Sequence, residues 1–365
     1  MSYKGYRNLS DSQIELDSGV NIIYGENAQG KTNFLETVWL LAGGRSFRGT
    51  KDSDLIKFGA DTASIKGEFF SEERNQSIEI KIKDGARKAF LNEVDRGRAS
   101  QIVGTFRAVI FSPSHLQLIK GGPDNRRRLI DTIICQLKPT YISVLSRYNQ
   151  VLRQRNALLK EMFTKKFDPF VLEVWDKKIA EYGAFIVKER VKYVKMIEEK
   201  AKAIYQGISG GRENLSLKYS TVLPISEDFK IEEAVQKLKE RLSDSRDYDS
   251  KIGYTSKGPH RDDIEFFLDG KPVKKFASQG QQRSCVLAVK LAEASVMEEM
   301  SGEKPVILFD DVMSELDLGR QNYIMNCING WQVIITCCEV SVMEKLRAGK
   351  LLRIEQGNLA EEKMV

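Results

Sequence analysis

Eight residues near the start of the chain, Gly25-Glu26-Asn27-Ala28-Gln29-Gly30-Lys31-Thr32, follow the spacing G-x-x-x-x-G-K-[ST], and that spacing has a chemistry. Glycines at its first and sixth positions let the backbone turn tightly and approach a ligand closely, so that successive N–H groups can wrap a polyphosphate. Lys31 would set its ammonium against the β- and γ-phosphates, and the Thr32 hydroxyl would hold Mg²⁺. Far downstream, the apolar run Val306-Ile307-Leu308-Phe309 ends in two carboxylates, Asp310-Asp311. A phosphate-binding loop of this kind needs an acid at the tip of a neighbouring strand for the Mg²⁺ shell and a second to orient or deprotonate the attacking water. Asp310 suits the first role and Asp311 the second. Asp311 and Lys31 are therefore the catalytic candidates, Thr32 and Asp310 the metal candidates, and a nucleotide with Mg²⁺ the expected ligand pair.

The flanking residues predict the elements that hold these groups. Val20-Asn21-Ile22-Ile23-Tyr24 is a short apolar run that suits a buried strand, and Phe34, Leu35, Val38, Leu41 and Ala42 recur at helical spacing after the loop. Strand, turn and helix together point the helix N-terminus at an anion. Ser278-Gln279-Gly280-Gln281-Gln282 opens another helix through Val286, Leu287, Val289, Leu291 and Ala292. Alone, it reads as a helix cap. Gly43-Gly44-Arg45-Ser46-Phe47-Arg48-Gly49 is a glycine-rich loop with two arginines, able to reach bound phosphate or to lie in solvent.

Residues 1 to about 110 otherwise carry strand signals: Ala63, Ile65 and Phe69 alternate with polar residues, as do Ile78, Ile80 and Ile82, and Asp84-Gly85 turns into Lys88-Ala89-Phe90-Leu91. They predict an antiparallel sheet laid beside the phosphate-loop strand. From Pro123 the pattern becomes helical, with one helix to Pro139, a second to Met162 and a third from Asp168-Pro169 to about Gly207. The arginines of this region, Arg126, Arg127, Arg128, Arg147, Arg153 and Arg155, fit either a solvated surface or a nucleic-acid face. Leu215, Leu217 and Tyr219 predict a strand, Ile231 to Leu242 a helix, and the polar Ser243-Asp244-Ser245-Arg246-Asp247 a linker. The expected organisation is two parts of one nucleotide-binding lobe, 1–122 and 249–365, around a mostly helical insertion at 123–248.

Composition narrows the class. The 365 residues are 41% hydrophobic and 30% charged, with a net charge of +6, which permits nucleic acid without demanding it. No apolar stretch is long enough to span a bilayer and the first residues lack the apolar core of a secretory signal, so a cytoplasmic protein is expected. Two histidines, His115 and His260, exclude a His cluster, and the five cysteines lie in apolar patterns that read as packing.

A phosphate loop upstream, then Ser278-Gln279-Gly280 and an acidic strand downstream, resembles the signature order of the ATP-binding-cassette ATPases, and Ser314-Glu315-Leu316-Asp317 resembles their D-loop. Within that superfamily the chain resembles the RecF family of bacterial recombination proteins, related to the SMC proteins. The resemblance is carried by Gly5-Tyr6-Arg7-Asn8, Gly25 through Thr32 with Asn33, Gly44-Arg45-Ser46-Phe47-Arg48, Phe111-Ser112-Pro113, Gly121-Gly122-Pro123 with Arg126-Arg127-Arg128, Gly258-Pro259-His260-Arg261-Asp262-Asp263, Ser278 through Gln282, and Asp310 through Asp317. It implies an α/β ATPase head of the cassette type, a mixed sheet with the P-loop, carrying a short inserted helical arm. It also implies an ATP-dependent homodimer in which Ser278, Gln279, Gly280 and Gln281 of one subunit close over the ATP held by the P-loop of the other. The implied activity is slow, DNA-stimulated ATP hydrolysis at single-strand gaps and duplex junctions, acting with RecO and RecR to help RecA load. The alternative is an ATPase subunit of another DNA-processing or transport complex. Three positions depart from the superfamily pattern: Cys337-Cys338-Glu339 stands where a histidine switch is expected, with Thr336 the nearest polar substitute; Asp311 replaces the usual Glu; and Gln117 is the glutamine nearest the expected Q-loop.

Overall fold

The computed structural model describes residues 1–162, 169–223, 229–338 and 349–364. Two compact units result: Met1–Leu116 with Ala203–Arg212 and Arg283–Val365, and Gln117–Lys202 with Glu213–Gln282. The stretch 249–282, expected with the C-terminal lobe, thus belongs to the second unit.

In the first unit the apolar, β-branched runs Val20–Tyr24, Val306–Asp310 and Val333–Cys337 form the centre of a six-stranded sheet, in the order Asn358–Met364, Gly349–Glu355, Val20–Tyr24, Val333–Cys337, Val306–Asp310, Ala108–Phe111. All neighbours are parallel except the edge hairpin of the last two strands in sequence. Runs without alternation suit strands covered on both faces. The alternating segments form a separate antiparallel sheet, Ser12–Gln13, Ser2–Lys4, Thr62–Ser71, Arg74–Lys83, Ala86–Leu91 and Val94–Arg98. This corrects the expectation that it lies beside the P-loop strand: both edges of Val20–Tyr24 are already taken, by Val333–Cys337 and Gly349–Glu355. The helix Lys31–Leu41 packs in the core that the two sheets share, with its Phe34, Leu35, Val38 and Leu41 among Ile65, Ile78 and Ile80 of one and Ile23, Leu308 and Ile334 of the other. Each such side chain contributes about 1.5–3 kcal/mol by leaving water, and together they fix the direction of the helix that follows the P-loop.

The second unit contains the helices Pro123–Leu137, Pro139–Glu161, Ile231–Asp244 and Arg246–Ile252, most of Pro169–Ser209, and a three-stranded sheet of Leu215–Ser220, Asp263–Leu268 and Lys271–Pro272. Asp168, expected to open the long helix, lies outside the described residues. At the heart of this unit Arg155, 0% exposed, donates to Asp176 (2.7 Å), Asp249 (2.8 Å) and the Thr255 hydroxyl (2.9 Å), while Arg246 donates to the other Asp176 oxygen (2.8 Å). The buried Arg155 and the part-exposed Arg246 therefore meet two buried carboxylates. The stretch Ser243–Asp247, read from sequence as a linker, is instead the junction of two helices, and two of its residues serve this cluster: buried Ser245 bonds Leu242 O and Asp249, and Arg246 bonds Asp176. Arg126 makes a bidentate pair with Asp263 (2.6 and 2.8 Å) and Arg127 bonds Asp124 and Asp262 O. These arginines are neither solvated nor facing outward for nucleic acid; Arg128, Arg147 and Arg153 are exposed. Gly258–Asp263 is an internal anchor too, with His260 between Tyr148 Oη (2.6 Å) and Thr255 O (3.0 Å). Among the described residues no helix is long and apolar enough to cross a membrane.

Candidate nucleotide site

The P-loop runs from the end of the strand Val20–Tyr24 into Gly30, the cap of the helix Lys31–Leu41. Two of its positions require glycine. Gly25 has φ +148° and a Cβ there would lie 2.3 Å from Ile354 O; Gly30 has φ +112° and a Cβ would meet Leu9 at 2.8 Å. Ala28 also adopts positive φ, +65°, and its carbonyl accepts from Asn8 Nδ2 at 3.3 Å. The loop is gripped from outside by the C-terminal hairpin, where Gln356 N donates to Gln29 Oε1 (2.5 Å) and Gly357 N to Gln29 O (2.9 Å). No acid sits in the first turn of the helix, so its exposed N–H groups and dipole present an uncancelled positive end.

Lys31 is buried, and its ammonium is held over the loop by the carbonyls of Gly25 and Glu26 at 2.7 Å each, with Cys338 Sγ at 3.9 Å. Among the described residues no carboxylate pairs with it, which leaves its charge available to an anion. On the facing strand end, Thr32 Oγ1 donates to Asp310 Oδ1 at 2.7 Å. Asp310 also accepts from Thr336 Oγ1 at 3.3 Å; burial pushes its carboxyl above the usual range, opposed by these two hydroxyls. Asp311 follows at φ +54°, a strained conformation for a residue with a side chain, and its N–H donates to Thr336 Oγ1 at 3.0 Å while Ser314 Oγ donates to its carboxylate at 3.1 Å. Asn27, Ala28, Gly30, Lys31, Thr32, Asn33, Arg48, Asp311 and Thr336 line one open cleft of about 310 Å³.

The sequence-derived candidates of the P-loop and acidic strand thus converge on one place. Of the two loop arginines only Arg48 lines the cleft, donating to Asn33 Oδ1 at 2.7 Å. Ser278 and Gln281 form a reciprocal cap, Gln281 N to Ser278 Oγ (3.2 Å) and Ser278 N to Gln281 Oε1 (2.6 Å), opening the helix Gln279–Ser301. With Gln279 and Gly280 they belong to the second unit, as does Gln117. Cys338 was not foreseen: read as packing, it is exposed, and its Sγ donates to Asn27 Oδ1 at 3.1 Å beside Lys31. Its only sequence signal was its place where a histidine was expected. Cys327 is likewise exposed and Cys135 half-buried, so only Cys285 and Cys337 are core cysteines. Glu339 lies outside the described residues.

A model of the RecF/RecN/SMC N terminal domain matches residues 1–360. The DNA replication and repair protein RecF of Agathobacter rectalis is 40% identical over 357 residues, covering 97% of this chain and 96% of its own. That of Bacillus subtilis is 36% identical over 360 residues, covering 98% and 97%. Among solved structures, one described as the recombination mediator protein RecF-ATP in the RecFOR pathway gives a TM-score of 0.91 at 36% identity, covering 100% of this chain and 96% of the other; its RecF-ATPrS counterpart gives 0.92 at 37%, covering 98% and 96%. An Smc head domain from Pyrococcus furiosus, 18% identical with a TM-score of 0.55, shares the fold.

Proposed function

Because the chain belongs to the RecF family of DNA replication and repair proteins, we propose that it is a DNA-binding ATPase of recombinational repair, in which ATP closes a homodimer on DNA and slow hydrolysis releases it. The observation that carries the reading is the 2.7 Å contact between Thr32 and Asp310, which unites the two halves of a nucleotide site from opposite ends of the chain. Two adjacent oxygen donors suit a hard cation, and the lack of any cluster of three or more His, Cys, Asp or Glu among the described residues fits Mg²⁺, which takes the rest of its shell from phosphate and water. Bound there, Mg²⁺ would neutralise charge on the transferred phosphoryl group. The chain's own residues do the rest. The P-loop N–H groups and Lys31 bind and orient the polyphosphate, and Asp311, held by Thr336 and Ser314, is the group that orients water. Its short side chain supports slow turnover.

Ser278, Gln279, Gly280 and Gln281 would close over the ATP of a second subunit, making each site complete only in the dimer. DNA would be held mainly through its phosphates, with little sequence readout. The RecFOR pathway named for the solved relatives supports RecO and RecR as partners; loading of RecA at gaps, in the cytoplasm, is the outcome we propose. Sedimentation of an Asp311→Asn protein with and without ATP and Mg²⁺, with gapped DNA in a parallel run, tests the scheme. A shift from monomer to dimer on ATP, abolished by Gly280→Arg, is expected. A protein that stays monomeric while hydrolysing ATP briskly would sink the composite site.

A further inference from the structure

Two motifs, Gly5-Tyr6-Arg7-Asn8 and Gly44-Arg45-Ser46-Phe47-Arg48, have no part in the chemistry above, yet both end at one buried carboxylate. Glu36, 0% exposed, lies on the helix that follows the P-loop. Its Oε2 accepts from Tyr6 Oη (2.8 Å) and pairs with Arg7 Nε (2.8 Å); its Oε1 accepts from Ser46 Oγ (2.5 Å). The donors close a ring: Arg7 Nη2 donates to Thr50 Oγ1 (2.9 Å), Thr50 Oγ1 to Ser46 Oγ (3.0 Å), and Ser46 Oγ to Glu36. Ser46 Oγ has one further acceptor position, and the backbone N–H of Arg48 fills it at 3.2 Å.

From there the network reaches the cleft. Arg48 donates to Asn33, Asn33 Nδ2 donates to Asn8 Oδ1 at 2.6 Å, and Asn8 donates to the P-loop carbonyl of Ala28. A buried ion pair is a weak source of stability, since apolar residues of similar volume replace such pairs at little cost. What this one does supply is geometry, because Tyr6, Ser46 and Thr50 each donate within the ring and it closes only with the Gly44–Thr50 loop in one place.

We infer that Glu36 is a positioning residue for ATP: without touching nucleotide, it fixes the loop that delivers Arg48 to the phosphate end of the cleft. The inference rests on the nucleotide reading of that cleft. An amide at position 36 would set an N–H against the ring's donors, so Glu36→Gln should raise the KM for ATP roughly tenfold or more with a much smaller change in kcat. Arg48→Ala should do the same, and the double variant should be no worse than Arg48→Ala alone, because coupled residues are not additive. Ser46→Ala, which removes the hydroxyl's bonds to Glu36, Thr50 and Arg48 but keeps the Arg7–Glu36 pair, should shift KM in the same direction and covers the case in which Glu36→Gln fails to fold. Lys31→Ala is measured alongside. If Lys31→Ala loses ATP affinity but Glu36→Gln and Ser46→Ala keep a normal KM, or if the losses in the double variant multiply, the positioning role is overturned. If Lys31→Ala itself keeps normal affinity, the nucleotide reading of the cleft is what fails.

Discussion

Around Lys31 and Arg48 the cations are held by carbonyls, a thiol and an amide, whereas two carboxylates, a second arginine and a hydroxyl close around the fully buried guanidinium of Arg155. Both clusters are dense in charge, and both draw on residues far apart in the chain. The first leaves its cations without a paired carboxylate at an open cleft, which favours an anionic ligand; the second pairs them directly in the interior, which favours a fixed arrangement of helices. Direct pairing, more than the number of charged residues, separates a binding site from a structural knot here.

The contrast can be broken most forcefully in the knot. Arg155→Ala leaves Asp176 and Asp249 buried with half their partners and should cost about 3–5 kcal/mol, seen as a lower midpoint in denaturant unfolding, with the KM for ATP unchanged in the protein that folds. Equal loss of ATP affinity and stability would show that the clusters are not separate in role. Asp310→Asn is the reciprocal change. Hydrolysis should fall by about 10²-fold or more, while stability holds or rises, since a carboxylate that burial already disfavours is replaced by a neutral group.

Acid offers the gentlest probe. Burial lowers the His260 pKa to about 4 from 6.5, with Nε2–H assigned as donor to Thr255 O and Nδ1 as acceptor from Tyr148 Oη. The folded state therefore prefers the neutral ring. Its contribution is fully present above pH 6.5 and is lost as pH falls from there through about 4, to a total of at most about 3 kcal/mol. Unfolding midpoints measured across that range should decline in the parent protein and decline less in His260→Gln. Parallel declines would mean that other groups carry the acid sensitivity.

The candidate nucleotide site was legible as a converging cleft because its signals are local: glycine spacing, an apolar strand before it and helical spacing after it leave few alternatives. The acidic strand was legible for the same reason. The Arg155 knot was not, because its members come one or two at a time from separate helices, and each looks like an ordinary exposed polar residue in its own helix. Ser243–Asp247 misled for that reason: Ser245 and Arg246 turn to the cluster, while Ser243, Asp244 and Asp247 are exposed. Val94–Arg98 also went unread, since all five of its residues are exposed and it shows no alternation. Glu36 gave no signal at all. Nothing in a helical pattern distinguishes a buried acid from a solvated one until the loops that meet it are known.

The strand that carries the P-loop is made by the ribosome long before both of its sheet neighbours, Val333–Cys337 and Gly349–Glu355, and before the turn that grips Gln29. A nascent chain has therefore emitted its whole phosphate-binding motif long before it owns the scaffold to shape it. Nucleotide capture becomes possible only when translation has passed the hairpin, so a prematurely terminated product lacking those strands would reach the cell without a formed ATP site and unable to compete with the finished protein for nucleotide.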